Sequence, residues 1–378
     1  MQVKQVYELV NQATREVLGE DVVLQENLQN IVDVGDAIFN ANAVDNYVQS
    51  LVNHIGRVVF VNRPYTGRVP SVLMSDWEFG SVLEKVNTKL PEASENESWE
   101  LEDGTSYDEN IFYAPKVEVK FYNKKSTFEV PISITEMQVK ESFSNEVQLN
   151  GFVSMIYTAI DNSLTLKVDA LVMRTINNFI GATYDDGNDV RDVKLLTMYN
   201  ATLPQGTTPL TADKALTDLG FLKYASYMIK EYTDRMSTMS ALFNLGGQPR
   251  HTPKDLMHIV LLSAFANASD VFLQSDTFHN ELTKLPNYER VTHWQGTGTD
   301  YSFDSISSIN IITSEGTSVE VDGVIGVIFD RDALGVNQFN KRVRSKYNNK
   351  AEFWNMWHKV DARYFNDFNE NFVVFRIA

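Results

Sequence analysis

Apolar positions recur at three- and four-residue spacing from Glu146 to Ile180, at Leu149, Phe152, Val153, Ile156, Ile160, Leu164, Val168, Leu171, Ile176 and Phe179. That period puts them on one side of a single amphipathic helix. At ~1.5 Å per residue such a helix is about 50 Å long, the span of a whole domain. It serves as a spine for the remaining elements. Lys167 and Arg174 fall on or beside the apolar face, so one flank reaches solvent or an acidic partner. The segment with Gly181, Asp185, Asp186, Gly187 and Asn188 supplies the stop, since glycine and asparagine accept the left-handed conformations that end helices. Upstream, Val6, Leu9, Val10, Ala13 and Val17 predict a helix over 4–18, and Val44, Tyr47, Val48, Leu51 and Val52 a second one closing at Gly56. The polar stretch between them makes this an arm with little core of its own, which packs on the body or on a neighbouring copy.

From Arg57 the period changes to two. RVVFV, then KVEVKFY at 116–122, then FEVPISI at 128–134, read as strands. Between the first two lies a long excursion. Its middle, 91–110, carries Glu92, Glu95, Glu97, Glu100, Glu102, Asp103, Asp108 and Glu109 with no lysine or arginine, and Ser94, Asn96 and Gly104 mark turns. The expectation is a β-ribbon with an acidic tip. An isolated ribbon buries too little to be stable alone and offers its edges for pairing, so a neighbour should cover it.

Beyond the spine, 190–210 is irregular. Thr211 or Asp213 then caps a second long helix with Leu216, Leu219, Leu222, Ala225, Ile229, Tyr232, Met236 and Met239 on one face, ended by Gly246, Gly247 and Pro249. The following segment mixes strand and helix: a buried strand over 257–262, a helix over 264–285, and strands near 289–293, 306–313 and 319–329. Residues 294–304 form an exposed loop. At the C-terminus, Trp354, Met356, His358, Val360, Ala362 and Tyr364 alternate with Asn355, Lys359, Asp361 and Arg363. A turn at 366–371 and a final strand, FVVFRI, complete a predicted three-stranded meander. The class is α+β.

The net charge of −17 and a pI near 4.8 oppose binding to nucleic acid through its phosphates. No apolar run approaches the roughly 20 residues that cross a bilayer, and the N-terminus lacks a signal pattern. With no cysteine, disulfides, thiolate metal sites and cysteine nucleophiles are excluded together. G-x-S-x-G, H-E-x-x-H and the phosphate-loop motif are absent from the sequence. Asp255 with His258, the acidic turn at 185–189, and Asp330 with Asp332 read respectively as a strand, a helix-ending turn, and a strand exit followed by a helix cap. No catalytic residue, cofactor site or metal site is assigned.

The order of these elements resembles the major capsid protein of tailed bacteriophages, with the Hong Kong 97-type fold. The similarity is strongest in VIGVIFDRDALGV at 324–336 and KYNNKAEFWNMWHKVDARYFNDFNENFVVF at 346–375. The resemblance implies an N-terminal arm over 1–55, an extended β-ribbon loop over 56–135, a peripheral domain with the spine helix over 136–250 and 338–378, and an axial domain over 251–337. It implies a structural, non-enzymatic protein that assembles with itself as pentamers and hexamers into an icosahedral head shell enclosing double-stranded DNA. The protein would be made and assembled in the host cytoplasm and would belong to the virion. Since only a short arm precedes the ribbon, a separate scaffolding protein, or none, is expected, with a portal and decoration proteins as further partners. An encapsulin-like cargo shell shares the fold and is the alternative; a soluble enzyme or binding protein stands behind both. For inter-subunit contacts, the acidic tip (Glu92, Glu95, Glu97, Glu100, Glu102, Asp103) is expected to meet the densest basic run, Lys341, Arg342, Arg344 and Lys346. Lys85, Lys89, Lys124 and Lys125, with Asn348 or Asn349, supply the residue types of a lysine–asparagine cross-link without marking one.

Overall fold

The spine is a helix of 40 residues, Glu146–Asp185, seen in a computed structural model that describes residues 3–19, 34, 46–47, 50, 68–74, 83–107, 109–135, 146–276, 288–296, 298–312, 316 and 318–378. Ile156, Ile160, Val168, Leu171, Ile176 and Phe179 are buried as the spacing requires, and Lys167 and Arg174 are exposed. From Val168 onward burial spreads around the helix to Val172, Met173, Thr175 and Asn177, so its second half is enclosed rather than one-sided. Asn177 donates to the Trp294 carbonyl at 2.9 Å, and Asn366 donates to the Thr175 carbonyl at 2.8 Å. Gly181 lies inside the helix, not at its end. A Cβ there would stand 2.1 Å from the Ile311 side chain, so the glycine permits close packing. The stop is Gly187, with φ of +68°.

The described residues fall in two compact units. One is drawn from Met1–Ser75, Lys125–Met173 and Val336–Arg363, the other from Asp76–Lys124, Arg174–Gly335 and Tyr364–Ala378. In the first unit, strand β3 (Lys125–Thr135) pairs antiparallel with β11 (Phe353–Asn366), from Phe353 opposite Thr135 to Arg363 opposite Lys125. On the other side of β11 runs β10 (Leu334–Asn348), giving the order β10-β11-β3. Pro131 sits on the edge strand, the part of a sheet that tolerates proline. Trp354, Met356, His358, Val360 and Ala362 are buried, as the alternation predicted. The first helix, Val3–Leu18, buries Val10, Ala13 and Thr14, and Ser50 donates to the Glu16 carboxylate at 2.5 Å. Of the second arm helix only 46, 47 and 50 are described, all helical; the RVVFV strand lies outside the described residues.

The second unit is built on a five-stranded sheet ordered β4-β12-β9-β5-β6, from Asp192–Lys194, Phe372–Arg376, Val324–Asp330, Met257–Leu262 and Glu289–Val291. This corrects the C-terminal meander: the last strand leaves β11 and inserts between β4 and β9. Every residue of β9 and β12 is buried, as strands covered on both faces require. The long helix expected from 211 is two helices, Ala212–Ala215 and Leu219–Met236, because Asp218 takes the cap and accepts from the Phe221 N–H at 2.7 Å. Phe221, Leu222, Ala225, Ile229 and Tyr232 of the second join Ile259, Leu261, Phe265, Ile325, Ile328, Val373 and Phe375 in the main core. The helix after β5 is Ser263–Asp276; the rest of its expected course, 277–285, lies outside the described residues. Two further predicted strands divide. Residues 303–307 are helical before β7 (Ile309–Ile312), and Gly323, with φ of +72°, separates β8 (Ser318–Val321) from β9. The turn after β9 caps no helix: Asp330 accepts from the Asp332 N–H at 2.9 Å, and β10 follows at once.

Candidate assembly surface

A ribbon emerges from the second unit. β1 (Leu83–Thr88) pairs antiparallel with β2 (Val117–Tyr122), Val86 opposite Val119 and Lys85 opposite Lys120. β2 was legible in the sequence and β1 was not, because LEKVNT alternates too weakly to stand out from the excursion around it. Lys89 N–H closes the ribbon on the Lys116 carbonyl at 2.8 Å. Beyond it, the described residues of 90–116 form a long tip, exposed and held by local bonds. Ser98 N–H donates to Asn96 Oδ1 at 2.8 Å, Glu102 N–H to the Tyr107 hydroxyl at 3.1 Å, and Gly104 turns with φ of +87°.

The predicted acids Glu92, Glu95, Glu100, Glu102 and Asp103 are exposed on this tip, and Glu97 opens its short 3-10 turn. What the charge pattern did not announce is the aromatic content of the same surface. Trp99 is 95% exposed, with Phe112 and Tyr113 nearly as open. Side chains of this size displayed in water are the kind that anchor protein interfaces.

The predicted bases lie on β10 in the first unit. Lys341, Arg344 and Lys346 are exposed. Arg342 is committed within its own sheet: its Nη1 lies 2.6 Å from Asp361 Oδ2 and its Nη2 3.2 Å from Oδ1. Asn340, left-handed with φ of +50°, and Thr127 donate to the same carboxylate. The Arg342 hydrogen bonds outweigh partial burial and, with Thr127 and Asn340, push the Asp361 carboxyl down to about 2. Arg342 is thus a sheet-bracing residue, which spacing alone had grouped with the free cations.

At the ribbon's root sits a cluster the sequence did not reveal. Asp367, fully buried, receives Lys85 at 2.7 Å and Lys120 at 3.1 Å. Lys85 also donates to the Asp332 carbonyl at 2.8 Å and lies 3.4 Å from Glu370. Burial alone would raise the Asp367 carboxyl, but the two ammonium groups overcome it and hold it below its ordinary value. Glu370 goes the other way: burial raises it, reinforced by Asp330 and Asp367, and Lys85 and Arg250 do not cancel the rise. Lys85, one of the lysines of a possible cross-link, is therefore engaged in this cluster.

The acidic turn after the spine is satisfied internally, Asp186 by Arg191 and Asp189 by Lys194. Among the described residues no cluster of histidine and carboxylate could hold a metal ion, and no helix is long and apolar enough to cross a membrane.

Comparison with solved structures identifies the class. The fold is similar to a chain of the capsid of Staphylococcus phage Andhra at 8% identity, with a TM-score of 0.51 and 84% of this chain and 86% of that chain covered. A chain from the head fiber and inner core protein gp22 structure of native bacteriophage P68 gives 0.49 at 11% identity, over 84% and 86%. One from the capsid of cyanophage P-SCSP1u gives 0.43 at 11%, over 84% and 90%. On the first of these, the architecture is that of tailed-phage capsid subunits, the Hong Kong 97-type fold. No curated protein is significantly similar in sequence. The chain belongs to the Phi29-like phage major capsid protein family, whose model matches residues 10–376. It is a structural shell protein of phage heads.

Proposed function

We propose that the protein assembles as pentamers and hexamers into a closed icosahedral head around double-stranded DNA, in the host cytoplasm, and that it catalyses no reaction. The observation that carries this reading is the tip at 90–116. Trp99, Phe112 and Tyr113 stand in water on a segment rich in carboxylates, an arrangement a monomer gains nothing from. We assign the arm to 1–55, the extended loop to 56–135, the peripheral domain to 136–250 and 338–378, and the axial domain to 251–337. A separate scaffolding protein, a portal and decoration proteins complete the expected set of partners.

The acidic tip of one copy is proposed to meet the exposed bases of β10 on the next, Lys341, Arg344 and Lys346, with Arg342 retained inside its own sheet. Single exposed ion pairs contribute about 0–1 kcal/mol, but a shell repeats each of them many times. Sedimentation of the purified chain, with microscopy of fast-sedimenting material, tests the reading. Shells or rings of five and six copies are expected. A chain that stays monomeric with scaffolding protein added would overturn it.

A further inference from the structure

The two oxygens of Asp367, at the ribbon's root, are held unequally. Oδ1 accepts from Lys120 Nζ at 3.1 Å and from the Asn369 N–H at 3.2 Å. Oδ2 is buried and accepts no hydrogen bond, although Lys85 Nζ stands 2.7 Å away. The ammonium is therefore against the carboxyl but off the directions in which its oxygen accepts. Attraction within a buried ion pair offsets desolvation only when the geometry is good, which this contact lacks.

The surroundings suit another use of the two groups. The Asp367 side chain has no exposed surface, and Lys85 keeps 15% of its own. Lys85 Nζ lies over the Phe365 ring, 5.8 Å from its centre, and its bond to the Asp332 carbonyl at 2.8 Å fixes where the nitrogen sits. Glu370 Oε1 reaches the same nitrogen at 3.4 Å. Burial raises the Glu370 carboxyl, so it holds a proton more readily than an exposed glutamate does.

We propose that Lys85 and Asp367 of the same chain condense into an isopeptide bond, with Glu370 carrying the protons and Lys120 and the Asn369 N–H holding the oxyanion. Glu370 gives its proton to Oδ2 and takes one from Lys85 Nζ, which turns the ion pair into a neutral amine and a neutral acid. The Nζ lone pair attacks Cγ, and the charge that develops on Oδ1 faces Lys120 and the Asn369 N–H. Glu370 then moves a second proton from Nζ to Oδ2, the Cγ–Oδ2 bond breaks, and water leaves. One secondary amide and one water are formed, Glu370 ends with its proton, and nothing is oxidised or reduced. Because both lysines favour the ionised acid, the step is slow and occurs once per chain. The bond ties β1 to the loop ahead of β12, within one subunit, so it stands apart from the shell reading.

Intact mass of the purified, unassembled chain, taken after denaturation and followed by tryptic mapping, tests the proposal. A chain lighter by one water is expected, with a branched peptide joining the Lys85 segment to the Asp367 segment and no cleavage after Lys85. The branched peptide separates this product from ring closure at an Asp–Gly step such as Asp103–Gly104, which loses the same mass. Folded chain at its full mass, or a water lost without the branched peptide, would overturn the proposal. Lys85→Arg keeps a cation on Asp367 and should stay at its full mass; the same branched peptide cannot form. Asp367→Asn should give the branched peptide with ammonia lost in place of water. Glu370→Gln should slow bond formation, followed on refolding, about a hundredfold; formation at the wild-type rate would remove Glu370 from the step.

Discussion

His358 sits fully buried on β11, opposite Val130, and desolvation lowers its pKa to about 4. A histidine with a folded pKa below its unfolded value of ~6.5 contributes stability above that value and loses it as pH falls toward the folded pKa. The three-stranded sheet should therefore weaken between about pH 6.5 and 4, by up to roughly 3 kcal/mol if the whole shift is expressed. Asp361, held to about 2, gives a second and separate loss below about pH 4. Urea midpoints measured across this range should fall in two steps, and His358→Met should shrink the first, to which His258, also lowered by burial, contributes the remainder. An unchanged first step would assign it to another group. The Arg342–Asp361 pair gives a different test. Arg342→Met strands a carboxylate whose side chain is 13% exposed, so it should lower the melting temperature more than the same change combined with Asp361→Asn. Alternation made His358 legible as a core position, whereas the pairing of Arg342 with a residue 19 positions away was beyond any local rule.

Helix and strand types were legible wherever one period ran unbroken. The spine, β2, β3, β5 and β11 all form where the spacing put them. The failures have local and non-local causes. Asp218 interrupts a continuous apolar stripe because its side chain satisfies the Phe221 N–H better than another helical turn would. Asp218→Ala should cost about 1 kcal/mol of stability, readable as a lower urea midpoint. Gly323 splits one apolar run into two strands. With φ of +72°, and with a Cβ that would come 2.4 Å from the Ile377 carbonyl oxygen, Gly323→Ala should destabilise by ~1–3 kcal/mol. A neutral effect of that change would mean that the β9–β12 edge is softer than its burial implies. The placement of β12 was not legible for another reason. A fully apolar strand carries no face preference, so its sequence fits a central place in either sheet.

At the scale of the whole molecule, the acidic ribbon tip could be read from composition, but not which side of the ribbon is half-buried against its own subunit. That depends on Asp367, whose role emerges only when the loop at 366–371 is folded under Lys85 and Lys120. Charge reversal at Arg344 and Lys346 should weaken shell formation and make it more salt-sensitive without changing subunit stability; light scattering during assembly reads both. Unchanged assembly would remove β10 from the contact. The course of the chain has a separate consequence. It passes between the two units five times, and three passages fall inside regular elements: at 173–174 in the spine helix, at 335–336 in β10 and at 363–364 in β11. Neither unit corresponds to a stretch of gene that recombination could lift out and replace. Exchanging either unit for another would need several simultaneous joins inside helix and strands, whereas insertions at exposed loops, the ribbon tip foremost among them, leave both units' chain paths unbroken.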